Sequence, residues 1–375
     1  MTTIITTATA VIPDLIFFLN FSTNFKTMNK LLAGFSILLL LFTSCDIKEE
    51  GISDTLIIEV GNPYGTQLIT NYQVPFSAKN VSGTDLTNAA VFYVNGVEQN
   101  SNEIVFDQTG TYEVKASVTL DGQIIESQPY NVNVITPRHS TKILVEDYTG
   151  TWCTNCPRVT YNLEQAVSQN DHIIPAAIHK SRWAGDDPFG FADIQTLTND
   201  YGISQYPTPI INRTLGFVWD ETANSLQTEL DKSQGLGLAI NSNITGNTLN
   251  TDISVRFDMD FSKKNLNLVI YLTENHLFAD QANGTNYYGG QDPIPDFEHN
   301  YTLRAALTGV YGQTIPADET TANAVYHYQF SGNIPSEVSD INNCDIVAFV
   351  LDGNDKNAKL INIQKAAIGE NKNFD

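Results

Sequence analysis

The hydrophobic rhythm of the chain changes twice along its length, and this constrains the fold more than any other feature. Residues 54–135 alternate apolar and polar side chains at period two in "TLIIEV", "AVFYVNG", "NEIVF" and "TYEVKASVTLDGQIIESQPYNVNVI". Such alternation marks strands with one face covered and the other wet. Asn95-Gly96 and Asp121-Gly122 stand where tight hairpins need positive φ. Closely spaced turns over about 80 residues predict an immunoglobulin-like β-sandwich across 54–136.

At residue 141 the rhythm breaks. "TKILVEDYTG" is a nearly continuous apolar run, the mark of a strand covered on both faces. "CPRVTYNLEQAVSQ" then places Val159, Leu163, Ala166 and Val167 at helical spacing. "HIIPAAIH" reads as a strand, and "FADIQTLTNDYG" as a helix stopped by Gly202. "TPIINR" and "GFVWDE" read as a hairpin. "ETANSLQTELDKSQG" reads as a last helix, with Leu226 and Leu230 inward and Gly235 as its stop. The order βαβαββα predicts an α/β domain over 140–235. From 236 strands return in "GLGLAINSNITGNTLNTDISVRFDMDF", "NLNLVIYLTEN", "AVYHYQFSG", "CDIVAFVLDG" and "KLINIQKAAI". They predict a second all-β domain over 236–370, a sandwich or jelly roll. The polar stretch Asp280 to Asn300 reads as a long functional or mobile loop.

A length of 375 residues suits two or three domains, and a 42% hydrophobic content is enough to give each a core. The formal charge of −22 argues against nucleic acid, whose phosphates need a Lys/Arg surface. It also disfavours adhesion to anionic lipid by charge alone. The N-terminus carries an address. In "MNKLLAGFSILLLLFTSC", Lys30 is a short basic region and Leu31 to Phe42 an apolar one. That run is shorter than the roughly 20 residues of a membrane span. Residues 28–44 therefore read as a signal peptide. Cys45 directly after the cleavage position resembles a bacterial lipoprotein box, whose thiol takes a lipid. An ordinary signal with an incidental cysteine is the other reading. Residues 1–27 read as an over-extended start before Met28, and 45–53 as a lipidated cysteine and its acidic tether.

"TWCTNCPRVT" carries the chemistry. Cys153 and Cys156 lie after the first strand of the α/β segment and open its first helix. A helix N-terminus stabilises a thiolate through its dipole and free N–H groups. Cys153 is expected to be the more exposed, attacking thiol, and Cys156 to resolve the mixed disulfide. A metal clamp would need four ligands, and His139, His172 and His179 show no ligand spacing. A structural staple remains open, although so small a loop stabilises little. Cys344 begins an apolar strand and reads as a buried, inert thiol. No cofactor and no metal are expected.

The dithiol and its surroundings resemble the thioredoxin superfamily. Trp152 precedes the first cysteine, Asp147 falls on the buried carboxylate that accepts the resolving thiol's proton, and Tyr206-Pro207-Thr208 falls on the cis-proline turn. The resemblance implies a thioredoxin-like central domain, with Cys153, Cys156 and Asp147 catalytic. Trp152, Tyr206, Pro207 and Thr208 would line the cleft for a substrate strand. The inner dipeptide Thr154-Asn155 departs from the commoner pairs, and the leading β-α unit is missing. The loop "KSRWAGDDPFG" is extra; its Trp183, Asp186 and Asp187 read as loop surface rather than site lining. Over nearly all of the exported chain, the order of parts looks like the Omp28-related outer membrane lipoproteins. The carrying residues are "EDYTGTWCTNCP", "YGISQYPTPIINR", "HNYTLRAALTGVYG" and "IVAFVLD". That likeness implies a lipid-anchored cell-envelope protein of the outer membrane. Two functions stand: thiol–disulfide exchange on envelope proteins that bear disulfides or thiols, or a binding and assembly scaffold whose CxxC is static.

Overall fold

The computed structural model describes residues 57–214 and 223–375. Contacts divide the chain into Met1–Ser53 and Asp54–Asp375, and every described element belongs to the second unit. The signal peptide, Cys45 and most of the tether lie outside the described residues, as does "GFVWDE".

The N-terminal segment is all β, as its alternation predicts. The strand Gly110–Leu120 is central to a six-stranded sheet, between Ala90–Val94 and Tyr130–Ile135. Its Val114, Ala116 and Val118 point inward, to a core with Phe76, Phe92 and Phe106. Asn95 and Gly96 (φ 48° and 78°) and Asp121 and Gly122 (φ 48° and 80°) make the expected tight turns. One strand, Gln67–Ile69, joins the sheet parallel to Tyr130–Ile135. The segment packs onto the C-terminal part of the chain, where the Tyr64 ring meets Phe261 edge-on at 5.3 Å.

The expectation of a separate thioredoxin-like α/β domain is overturned. The chain is mostly β, with three α-helices among the described residues: Cys156–Gln169, Ile194–Asp200 and Ala223–Leu230. The segment 140–235 supplies three strands, Ile143–Thr149, Ile173–His179 and Thr208–Ile211. They do not close a sheet of their own. Ile173–His179 pairs in parallel with Thr302–Ala306 at Ala177 and Thr302. The sheet then runs on through Leu266–Glu274, Cys344–Asp352 and Lys359–Ala367, eight strands in all. The physical reason lies in the apolar runs themselves. Every residue of Ile143–Thr149 and Leu266–Glu274 is buried, so both strands need cover on two faces and partners on two edges. Ile143–Thr149 finds its two partners within the segment, in Ile173–His179 and Thr208–Ile211, but the outer edge of Ile173–His179 and both edges of Leu266–Glu274 are filled by C-terminal strands. After Ile211, Asn212 and Arg213 turn at φ 50° and 55°, which takes the chain out of the strand.

A second sheet, of Val325–Asn333, Thr248–Phe257, Leu236–Thr245 and Asn371–Lys372, covers one face of the first. The alternation of Leu266–Glu274 separates two cores. Leu268, Ile270 and Leu272 face the second sheet, whereas Val269 and Tyr271 pack with Leu144, Ile178, Leu197 and Phe349. Each such side chain contributes about 1.5–3 kcal/mol by leaving water. Leu163 of the first helix and Leu226 of the third cover Ile143, Val145 and Ile211 in a third cluster.

Candidate functional site

The strand Ile143–Thr149 carries Asp147 inward and ends at Gly150, where the dithiol turn begins. An added Cβ on Gly150 would lie 2.7 Å from the Trp152 ring nitrogen, so only glycine lets the turn fold this tightly. The amide of Cys153 donates to Gly150 O (3.0 Å), and the helix starts at Cys156 with Pro157 in its first turn. Cys153 and Cys156 are joined as a disulfide. Trp152 donates from Nε1 to Lys180 O (2.6 Å) and meets the Tyr206 ring edge-on at 5.4 Å.

Tyr206-Pro207 is a cis peptide. The antiparallel register sets Thr208 opposite Tyr148 and Pro209 opposite Asp147. Six sequence-predicted residues, Asp147, Trp152, Cys153, Cys156, Tyr206 and Pro207, therefore gather at one end of two paired strands, with Thr208 at the edge. Asp147 is fully buried. Its Oδ1 has no hydrogen-bond partner, and burial alone pushes its carboxyl up to about 7.

The expected exposure of Cys153 is not found. Cys153 is 3% exposed and Cys156 1%. The cover comes from the polar stretch read as a loop, which forms an antiparallel ribbon, Leu277–Gln281 with Ile294–His299. Its tip lies on the dithiol turn. Ala282 N donates to Thr151 O (2.8 Å) and Gly284 N to Thr154 O (2.7 Å). Gln281 Nε2 donates to Cys153 O at 3.0 Å.

Several residues at this site escaped the sequence reading. Asp187, expected on the loop surface, is buried. It accepts from Thr151 N (2.8 Å) and Phe189 N (2.9 Å) and pairs with His179 Nδ1 (3.0 Å). Burial opposes its charge, but the His179 interaction and the two amides outweigh that and hold the carboxyl below its ordinary range. His179 stacks edge-on against His299 at 5.3 Å, and burial, aided by His179, lowers His299 to about 3. His299, Glu164, Gln281 and Asp147 line a cavity of about 30 Å³. A carboxylate in "GDDPFG", just before the buried Phe189 and Phe191, was the available signal for Asp187. Gln281 and His299 lie in the stretch read as a functional or mobile loop, and no residue type there singled out either one. Trp183 is 62% exposed; Arg182 lies between its ring and that of Trp152, at 4.3 and 4.5 Å. Asp186, expected on the loop surface, has its side chain only 5% exposed and accepts from Arg182 N (2.9 Å) and Nε (2.8 Å). Cys344 is buried and free, and burial pushes its thiol up to about 12, as expected of an inert cysteine.

Residues 194–372 match the sequence model of the family described as "Outer membrane protein Omp28". The match stops short of the dithiol, whereas the likeness was expected across nearly all of the exported chain. Among solved structures, HBP35 of Porphyromonas gingivalis is 16% identical and superposes with a TM-score of 0.50 over 63% of this chain and 78% of its own. That likeness is one of fold. A domain of the outer membrane lipoprotein Omp28 from Porphyromonas gingivalis is 16% identical over 36% of this chain and 94% of its own, with a TM-score of 0.22. No curated protein matches. The expected outer-membrane address is borne out: from the second helix to the C-terminal strands, the chain is similar to the Omp28 family of outer membrane proteins.

Proposed function

We propose that this is a lipid-anchored envelope protein that exchanges thiols and disulfides with other envelope proteins through Cys153 and Cys156. The observation that carries the reading is Asp147. It is a buried carboxyl raised to about 7, one oxygen of which has no hydrogen-bond partner, on the strand that leads into the CxxC turn and opposite the cis-proline segment. A group that titrates near neutrality can take or return a thiol proton. In the reducing direction the Cys153 thiolate attacks a substrate disulfide, and one substrate thiolate leaves. The Cys156 thiol gives its proton to Asp147 and attacks Cys153 Sγ. The second substrate thiolate leaves, and two electrons have passed to the substrate. The oxidising direction is the same sequence reversed, starting from the disulfide. The lipid would be held at Cys45.

The experiment is a Cys156→Ser variant expressed in cells. It should accumulate mixed disulfides between Cys153 and envelope proteins, resolvable by reductant. An absence of such adducts, together with no insulin reduction by the wild-type protein, would sink the proposal. One observation favours a scaffold with a static disulfide instead: both sulfurs are buried beneath the ribbon tip. Undiminished cellular function of a Cys153→Ser, Cys156→Ser double variant would support that second reading.

A further inference from the structure

A sulfur that exchanges must be approached in line with its S–S bond, and neither sulfur here offers that approach. The obstruction is specific. Ala282 N and Gly284 N donate to Thr151 O and Thr154 O, two main-chain carbonyls of the dithiol turn. Gly284 fits because it lacks a side chain; an added Cβ would lie 3.3 Å from Thr154 Cβ. The tip is braced within itself: Asn283 donates to Tyr287 O (3.0 Å) and Gln291 O (3.2 Å) and accepts from Thr285 N (3.0 Å). It rests on the first helix through Tyr288, whose hydroxyl donates to Glu164 Oε2 (2.7 Å). The ribbon behind it is a two-stranded sheet paired with none of the three larger sheets. Such a ribbon is marginal by itself, and moving it breaks no pairing of the main sheets.

We infer that the segment Gln281–Gly284 is a strap that occupies the substrate position over the disulfide, and that the site opens when an extended polypeptide displaces it. The displacing chain takes Thr151 O and Thr154 O with its own main-chain N–H groups, which brings a cysteine beside Cys153. This selects extended, disulfide- or thiol-bearing segments over small thiols. The inference rests on the exchange reading for its biological use, but the barrier itself is measurable without that reading.

The test uses the full chain and dithiothreitol as the probe. Its thiolate attacks Cys153 Sγ, the Cys156 thiolate leaves, and the second probe thiol displaces Cys153 as the probe closes to its cyclic disulfide. Free thiols are counted by alkylation. Gln281→Ala removes the side-chain bond to Cys153 O, and Gly284→Val forces the strap from Thr154. Each should speed reduction about tenfold, the worth of one hydrogen bond of ordinary strength. Natively folded variants reduced at the wild-type rate would overturn the strap. If neither variant folds, amide exchange in the wild type decides. Ala282 and Gly284 should exchange faster than the amides of Leu266–Glu274; equal protection would overturn the inference. Faster dithiothreitol reduction with no insulin reduction would leave the strap standing and remove the exchange reading.

Discussion

Replacing Asp147 by Asn should stabilise the protein at pH 8 and leave it unchanged near pH 4. Asp147 is fully buried, and its carboxyl titrates at about 7 rather than at the ordinary 3.8. The sign follows from linkage. The folded state binds this proton more tightly than the unfolded state does. The stability it contributes is thus fully present below the unfolded value and is lost as pH rises through the folded one. A shift of about three units corresponds to about 4 kcal/mol, at 1.36 kcal/mol per unit. Above pH 7 the wild type therefore carries a buried charge that costs about 4 kcal/mol. Asn is close in shape to the protonated acid and carries no charge. The assay is urea denaturation of both proteins, with the disulfide intact, at pH 4, 6 and 8. The stability difference should be near zero at pH 4, intermediate at pH 6 and about 4 kcal/mol in favour of Asn at pH 8. A difference that does not change with pH would refute the reasoning. It would mean that Asp147 ionises at an ordinary value, and the proton store of the proposed exchange would go with it.

Arg213 is fully buried, donates to Glu146 Oε1 (2.9 Å) and Val310 O (2.5 Å), and also bonds the Tyr271 hydroxyl. Arg213→Met leaves Glu146 buried without its partner and should cost about 3–5 kcal/mol in denaturant melts. A Glu146→Leu, Arg213→Met double variant should recover most of that loss. Asp187→Asn weakens the tie between the dithiol turn and His179 and should cost about 1–3 kcal/mol at neutral pH. Because Asp187 is held below its ordinary range, that stabilisation is present at neutral pH and lost as pH falls through the folded value. The gap between wild type and variant should close in acid, which a pH series of melting curves would read.

What could be read from the residues is what is decided nearby. The turns at Asn95-Gly96 and Asp121-Gly122 are local, because two residues must take positive φ. The first helix and the dithiol turn are local too, fixed by spacing and by Pro157. The C-terminal strands stood out as apolar runs, and all five quoted stretches contain strands. Periodicity names a covered face but not the strand that lies alongside. "HIIPAAIH" says that Ile173–His179 is buried; it does not say that Thr302–Ala306 is its neighbour. That ambiguity made a separate α/β domain seem complete. The ribbon over the dithiol was hidden for a different reason. Asn283, Thr285 and Asp292 look like solvated loop residues, yet they are spent on bracing the tip: the Asn283 side chain donates to Tyr287 O and accepts from the Thr285 hydroxyl, and Asp292 accepts from Asn283 N. Asp187 was misread because charge usually means surface. Here one carboxylate satisfies two buried amides and a histidine.

The contact between the ribbon tip and the dithiol turn also sets an order of events. Gln281 reaches Cys153 across 128 residues of chain, and the neighbouring strand Thr302–Ala306 lies farther on still. A polypeptide exported from its N-terminus delivers both cysteines to the oxidising side long before their cover arrives. During that interval the thiols are open to any oxidant in the compartment. Once the C-terminal strands complete the sheet, the pair lies beneath the ribbon tip. The first oxidation of the two thiols thus comes before their cover is in place, and every later change of state has to pass the tip.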